Sequence, residues 1–269
     1  MNRRSAFYWI TVVMVLVTIT GCDEGGGINF FTLEQDKQFG RDFDKQITSD
    51  TSDYQVLDAN QYSEAYQHLT RIRNELLQSP DLIYADEFEW KVRILKNDTT
   101  LNAFCVPGGY MYFYTGLIKY LDNEAQFAGV MAHEMAHADK RHVTRRMTQL
   151  YGFQFLLGFI LGENPDAWAQ IAAELALGLG NLQFSRSDEY QADEYAVKYS
   201  DDTELYPKGV AGFFEKMQSG NTPWVPVFLR THPPAEDRVE AINQVWMGLG
   251  SPGGGKYPDR YQLFINSLP

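Results

Sequence analysis

Cysteine is nearly absent: in 269 residues there are two, Cys22 and Cys105. Cys22 closes an apolar leader, so the body of the chain keeps one thiol and no internal disulfide framework is available. Basic charge is scarce as well. The 23 lysines and arginines face 35 acids, a formal net charge of −12. The footprint that a polyanion requires is missing, which excludes nucleic acid as a partner. Anionic lipid gains no electrostatic help from such a surface either. Beyond the leader there is no long apolar run: "FQFLLGFIL" at 153–161 is broken by "GENPD", well short of the about 20 residues a bilayer span needs. Histidine is rare too, with five in the chain, so any place where histidines gather carries weight.

What is present is a hydrophobic content of 44% with 14% aromatics, enough apolar surface to offset the entropy of ordering a real core. Residues 1–21 carry Arg3 and Arg4, no acid, and the uncharged run "AFYWITVVMVLVTIT". That is the pattern of a signal peptide, and its end, "ITGC", resembles a bacterial lipobox with Cys22 as the acylated first residue of the mature chain. The glycines of "DEGGGINF" then predict a flexible tether over 22–32. Residues 33–269 show no internal repeat and no interdomain linker, and are expected to form a single domain.

Spaced apolar positions predict helices over 33–50 and 61–78. "WKVRIL" alternates, setting Trp90, Val92 and Ile94 on one face of a strand. A second strand is expected from Leu101 to Val106, then a Pro107-Gly108-Gly109 turn of type II and a third strand, "YMYFYT". Tyr110, Tyr112 and Tyr114 share a face that either packs a core or meets substrate. A helix over 122–145, capped by Asp122, follows. The apolar stretch 167–184 is expected to pack beside that helix, and further helices over 184–200, 208–219 and 234–247. The fold class is α+β, predominantly helical.

Three of the five histidines fall in "AHEMAHADKRH" at 132–142. On a helix, His133 and His137 lie one turn apart on one face and can direct both imidazoles at one ion. Glu134 sits about 100° round, near enough to a metal-bound water to take its proton. Zinc would lower that water's pKa toward ~7. The metzincin pattern is excluded, because Lys140 and Val143 stand where its glycine and third histidine belong. His142, about 140° from the ligand face of a continuous helix, reads as a helix-end residue near the negative dipole end. A catalytic zinc needs a third protein ligand, and two carboxylates qualify. Glu174 is alone in "IAAELALGL". Glu189 has Asp193 one turn later, placed to accept the free N–H of a ligand histidine.

Together, "NAFCVPGGYMYFYTGLI", "HEMAH", "FSRSDEYQADEYA" and "THPPAEDR" resemble the M48 family of zinc metallopeptidases, over roughly residues 85–245. The resemblance implies a zincin-like domain with a small antiparallel sheet or hairpin beside the HExxH helix. It implies one zinc held by His133, His137 and Glu189, with Glu134 as general base and Asp193 behind a ligand histidine. It also places His232 over the metal, either as a plug in the fourth position or, with Arg238, as an oxyanion donor, and it implies that substrate binds as an added strand beside the hairpin. Cys105 matches no functional position of the family and reads as a small buried residue.

The expectation is therefore a lipid-anchored zinc endopeptidase acting on unfolded or misassembled envelope proteins. Asp23, directly after Cys22, resembles the signal that keeps enterobacterial lipoproteins in the inner membrane. The rival is a chaperone-like or scaffolding lipoprotein that binds extended segments and cleaves little, and Glu134 beside two histidines speaks against it, since binding alone needs no general base.

Overall fold

A computed structural model describes residues 21–22, 28–49, 54–160, 171, 174–176, 183–219, 227–233 and 237–269. The signal-peptide expectation for 1–20 and the glycine-rich part of the tether at 23–27 lie outside them. Gly21–Cys22 (β1) pairs antiparallel with Ile28–Asn29 (β2). Within 28–32, predicted as tether, two residues are packed down instead: Asn29 and Phe31 are buried, and Asn29 Nδ2 donates to Thr144 Oγ1 at 3.0 Å.

Leu33–Ser49 (α1) begins at a reciprocal cap, with Gln35 N donating to Thr32 Oγ1 and Thr32 N to Gln35 Oε1, which satisfies two orphan amides. It buries Phe39, Phe43 and Ile47. Ser63–Leu76 (α2) buries Ala65, Tyr66, Leu69, Ile72 and Leu76, the i, i+3, i+4 stripe of an amphipathic helix.

Lys91–Leu95 (β3), Ala103–Val106 (β4) and Tyr110–Tyr114 (β5) form a sheet in the order β3-β5-β4. The predicted hairpin is present, with β4 antiparallel to β5. Its turn uses Gly108 at φ 82° and Gly109 at φ 84°, values open to glycine without strain. Beside this antiparallel hairpin the sheet gains a parallel pair: β3 runs parallel to β5, because the chain crosses from one edge of the sheet to the other before turning back into the middle. Side-chain alternation fixes faces and is silent on strand direction. Met111 and Phe113 enter one core, while Tyr110, Tyr112 and Tyr114 enter the other. The tyrosine face is core, with Tyr112 Oη donating to Asp44 and Tyr114 Oη to Ala176 O.

After Thr115–Tyr120 (α3) comes Glu124–Asp139 (α4), every residue of which is buried. Its cap is Asn123, whose Oδ1 accepts from Gln126 N, and not Asp122. Arg141, at φ 54°, ends the helix, and His142–Ile160 (α5) starts afresh. The single helix predicted over 122–145 is thus two. A left-handed non-glycine costs on the order of 1–2 kcal/mol, offset here by Arg141 bonds to Asp36 Oδ2 at 2.6 Å and Phe31 O at 2.5 Å. The run at 153–161 continues α5 through Ile160. Most of 167–184 lies outside the described residues, but Ile171, Leu175 and Ala176 join the tyrosine-side core.

Arg186–Asp201 (α6) and Gly209–Gln218 (α7) pack along α4. A Cβ on Gly129 of α4 would sit 2.1 Å from Val210 N, so the helix backbones nearly touch. Phe228 of Phe228–Thr231 (α8) lies against His133 of α4, and Arg238–Gly248 (α9) packs on α6 and α7. Pro258–Asn266 (α10), a helix not expected from the sequence, buries Tyr261 and Phe264, with Phe264 edge-on to Phe127 of α4. No helix among the described residues is long and apolar enough to cross a membrane.

Candidate metal centre

Three elements bring the donors together. The buried α4 supplies His133 and His137. Glu189 comes from α6, whose start is set by a capping box between Ser185 and Asp188. His232 follows α8, its backbone N bonded to Phe228 O and its ring stacked on Phe228 at 4.2 Å and 14°. One ligand atom from each of these four buried side chains lies within 4.8 Å of all the others. Glu174 is not among them: its Oε2 accepts from Tyr151 Oη at 2.8 Å.

The donors stand close enough together to share one ion. Nε2 of His133 and Nε2 of His137 are 3.0 Å apart. His232 Nδ1 lies 3.3 Å from His133 Nε2 and 3.0 Å from Glu189 Oε1. The Glu189 oxygens are 3.6 Å and 3.5 Å from the two α4 nitrogens. Ligands at about 2.0–2.1 Å from a tetrahedral zinc stand about 3.3–3.4 Å from each other, close to these edges. Dry, facing lone pairs are costly, and a divalent cation between them removes that cost.

Behind the donors lies a charged support. Arg238 gives Nε and Nη2 to the two Asp193 oxygens at 2.6 and 2.7 Å, and its Nη1 is 2.6 Å from Glu189 Oε2. Its guanidinium is committed to those carboxylates, which corrects its expected role as an oxyanion donor. Asp193 Oδ1 stands 2.9 Å from His133 Nδ1, though off the line of a hydrogen bond. Burial opposes charge on Glu189, but His232 and Arg238 hold its carboxyl well below the ordinary range. Burial pushes Asp193 up to about 6 against the pull of Arg238, and drives His133 well below the usual imidazole range, which leaves its ring nitrogens available to a metal.

Glu134 sits beside the quartet, its Oε1 3.4 Å from His232 Nε2 and without a hydrogen-bond partner. Burial pushes its carboxyl up to about 8, with the charge of His137 opposing. A backbone hydrogen bond from Cys105 steadies it, so β4, an edge of the described sheet, runs past this carboxylate. His142 departs from expectation. It opens α5 instead of ending α4, and its Nδ1 is 2.8 Å from His137 Nδ1. Phe184, stacked on His137 at 3.9 Å, was not singled out in the sequence; an aromatic beside an apolar run carries no signal of its own.

The family model for peptidase family M48 matches residues 64–245. The chain belongs to peptidase family M48. It is 28% identical over 204 residues to the putative beta-barrel assembly-enhancing protease of Vibrio cholerae, covering 66% of this chain and 42% of that one. It is 32% identical over 156 residues to the beta-barrel assembly-enhancing protease of Escherichia coli, 54% of this chain and 32% of the relative. Against the mitochondrial metalloendopeptidase OMA1 of Schizosaccharomyces pombe, identity is 23% over 265 residues, 91% of this chain and 73% of that protein. The alignments thus span less than half of the two bacterial relatives. The M48 region takes in α4, α6, His232 and Arg238, the whole donor set with its support.

Proposed function

We propose that this chain is a zinc-dependent endopeptidase in which His133, His137 and Glu189 hold the metal and Glu134 is the general base. The observation that carries the reading is the convergence of the buried donors beside a carboxylate oxygen that no hydrogen bond claims. Bound zinc would supply an activated water and polarise a peptide carbonyl. Glu134 takes the proton of the attacking water and returns it to the leaving amine. Arg238 and Asp193 keep Glu189 and His133 aimed, as partners behind ligands do. β4 is an edge of the described sheet, and an extended peptide added at such an edge is held by main-chain hydrogen bonds, so sequence preference is loose and an unfolded segment is the natural substrate.

His232 lies within the donor set, and Glu134 and all the donors are at most 1% exposed. That supports His232 as a plug in the fourth position, which must swing away before a peptide enters. The substrates are unfolded or misassembled envelope proteins, a reading supported by relatives named for β-barrel assembly. The chain is anchored through acylated Cys22 and faces the periplasm from the inner membrane. A mature protein recovered wholly soluble with an unmodified N-terminus contradicts the anchor. The central test is zinc content together with digestion of an unfolded casein-type substrate, with and without chelator. Glu134→Gln should keep the metal and lose about 10²–10⁴-fold in turnover; digestion by that variant at the wild-type rate sinks the assignment.

A further inference from the structure

His137 is held from behind by a neutral group. Its Nε2 faces the other donors, and its Nδ1 is 2.8 Å from Nδ1 of His142. Nε2 of His142 is in turn 2.8 Å from Gln191 Oε1. His133 has a carboxylate, Asp193, at the equivalent nitrogen, so the two α4 ligands are supported by different chemistry.

The protons in this chain can be placed by elimination. A histidine that gives Nε2 to a metal carries its proton on Nδ1. For His137 that proton points at His142 Nδ1, which must then present a lone pair. His142 consequently carries its single proton on Nε2, aimed at the Gln191 carbonyl oxygen, an acceptor only. One proton lies in each gap. A cationic His142 would set two N–H groups against each other at 2.8 Å. The nearest carboxylate, Asp188, stands 3.9 Å from His142 Nε2 and is already bonded to Arg145 at 2.5 Å and to Ser185.

We propose that His142 is a positioning residue that fixes His137 as an Nε2 ligand by accepting its Nδ1 proton, with Gln191 setting the tautomer of His142. This rests on the metal-ligand assignment of His137. The left-handed Arg141 makes it possible, since on a continuous helix His142 would point about 140° away from His137.

Asparagine and glutamine separate the proposal from simple space-filling. In His142→Asn the side-chain oxygen takes the place of Nδ1 and still accepts from His137; in His142→Gln the polar end reaches the Nε2 position and leaves His137 Nδ1 without a partner. Zinc affinity is read by chelator competition, and the fold of each metal-free variant by far-UV circular dichroism and thermal midpoint. His142→Asn should stay near wild type, while His142→Gln and His142→Ala weaken zinc binding by about 10–100-fold. Wild-type affinity in folded His142→Gln and His142→Ala, or equal losses in the Asn and Gln variants, overturns the proposal. Nitrogen-15 long-range correlation spectra of zinc-loaded wild type decide it independently of how the variants fold: a proton on Nδ1 of His137 and on Nε2 of His142 is expected, and a proton on Nδ1 of His142 refutes it. Wild type that binds no zinc removes the metal-centre assignment itself; wild type that binds zinc with flat variants removes the His142 role alone.

Discussion

Two buried carboxylates, Glu174 and Glu189, look alike until their partners are counted. Both were open as the third ligand on spacing, because burial of a lone acid in an apolar run and a carboxylate pair one helical turn apart each point to a cation or a donor. Glu174 has found a tyrosine, whereas Glu189 faces imidazoles and Arg238. Glu189→Ala should therefore bind zinc far below one equivalent, while Glu174→Ala keeps full occupancy and loses on the order of 1–3 kcal/mol of stability with the hydrogen bond from Tyr151. Full zinc in folded Glu189→Ala would move the ligand role elsewhere. His232 was legible from the two prolines behind it and from the family motif; its depth in the donor set was not. Its removal opens the fourth position, so His232→Ala should still bind zinc and raise basal digestion of an unfolded substrate. A fall of about 10²-fold instead would make it an oxyanion donor. His142 does not lie where a continuous helix would carry it, because the positive φ of Arg141, which no residue type announces, breaks the helix just before it.

At the scale of elements, the sequence pattern located α2, α6, α7 and α9 to within a few residues, since their apolar stripes are regular, and missed the short α3 and α8. It failed where the determining contact is distant. Asp122 and Asn123 are equally good caps on paper, and Asn123 wins because Glu124 N and Ala125 N are taken by Lys256 O from the far end of the chain. The helix Pro258–Asn266 is short, with Pro258 in its first turn, and its apolar pair Tyr261 and Phe264 makes sense only against partners far away in the chain, Phe127 and His68. The meeting of α4 and α7 was equally hidden. A glycine within a helix normally costs about 1 kcal/mol relative to alanine, so Gly129→Ala would stabilise an unconstrained helix. Here the added methyl meets backbone of α7 at 2.1 Å, and overpacking of that kind costs about 1–3 kcal/mol or more. Urea unfolding should show a lower midpoint at unchanged slope; a raised midpoint would mean that the two helices separate freely.

At the scale of the whole molecule, segments outside the M48 match, joined at one end by Arg71 from within it, secure both ends of α4. Glu124, at its start, is bonded by Arg260 and by Arg71, and Arg141, at its end, by Phe31 and Asp36. The second clamp depends on α1, which Asp44 ties to the sheet: Arg93 reaches it at 2.9 and 2.8 Å, Lys91 at 3.0 Å, and Tyr112 donates to it. Burial works against the charge on Asp44, yet hydrogen bonds from Arg93 and Lys91 carry its pKa below the ordinary carboxylate value. A carboxyl with a depressed folded pKa contributes stability that is fully present above its unfolded pKa, about 3.9, and is lost as pH falls through the folded value. Asp44→Asn keeps the shape and removes the charge. At pH 7 the variant should be less stable than wild type by about 2 kcal/mol, the scale of hydrogen bonds to a charged group. Below about pH 4 the wild-type carboxyl begins to take up a proton, and the difference between the two proteins should shrink. Urea midpoints compared from pH 7 down to pH 3 measure it directly. A gap that stays constant over that range would show that the ties of Asp44 to Arg93 and Lys91 do not depend on its charge, and that acid reaches the α1 clamp by another route.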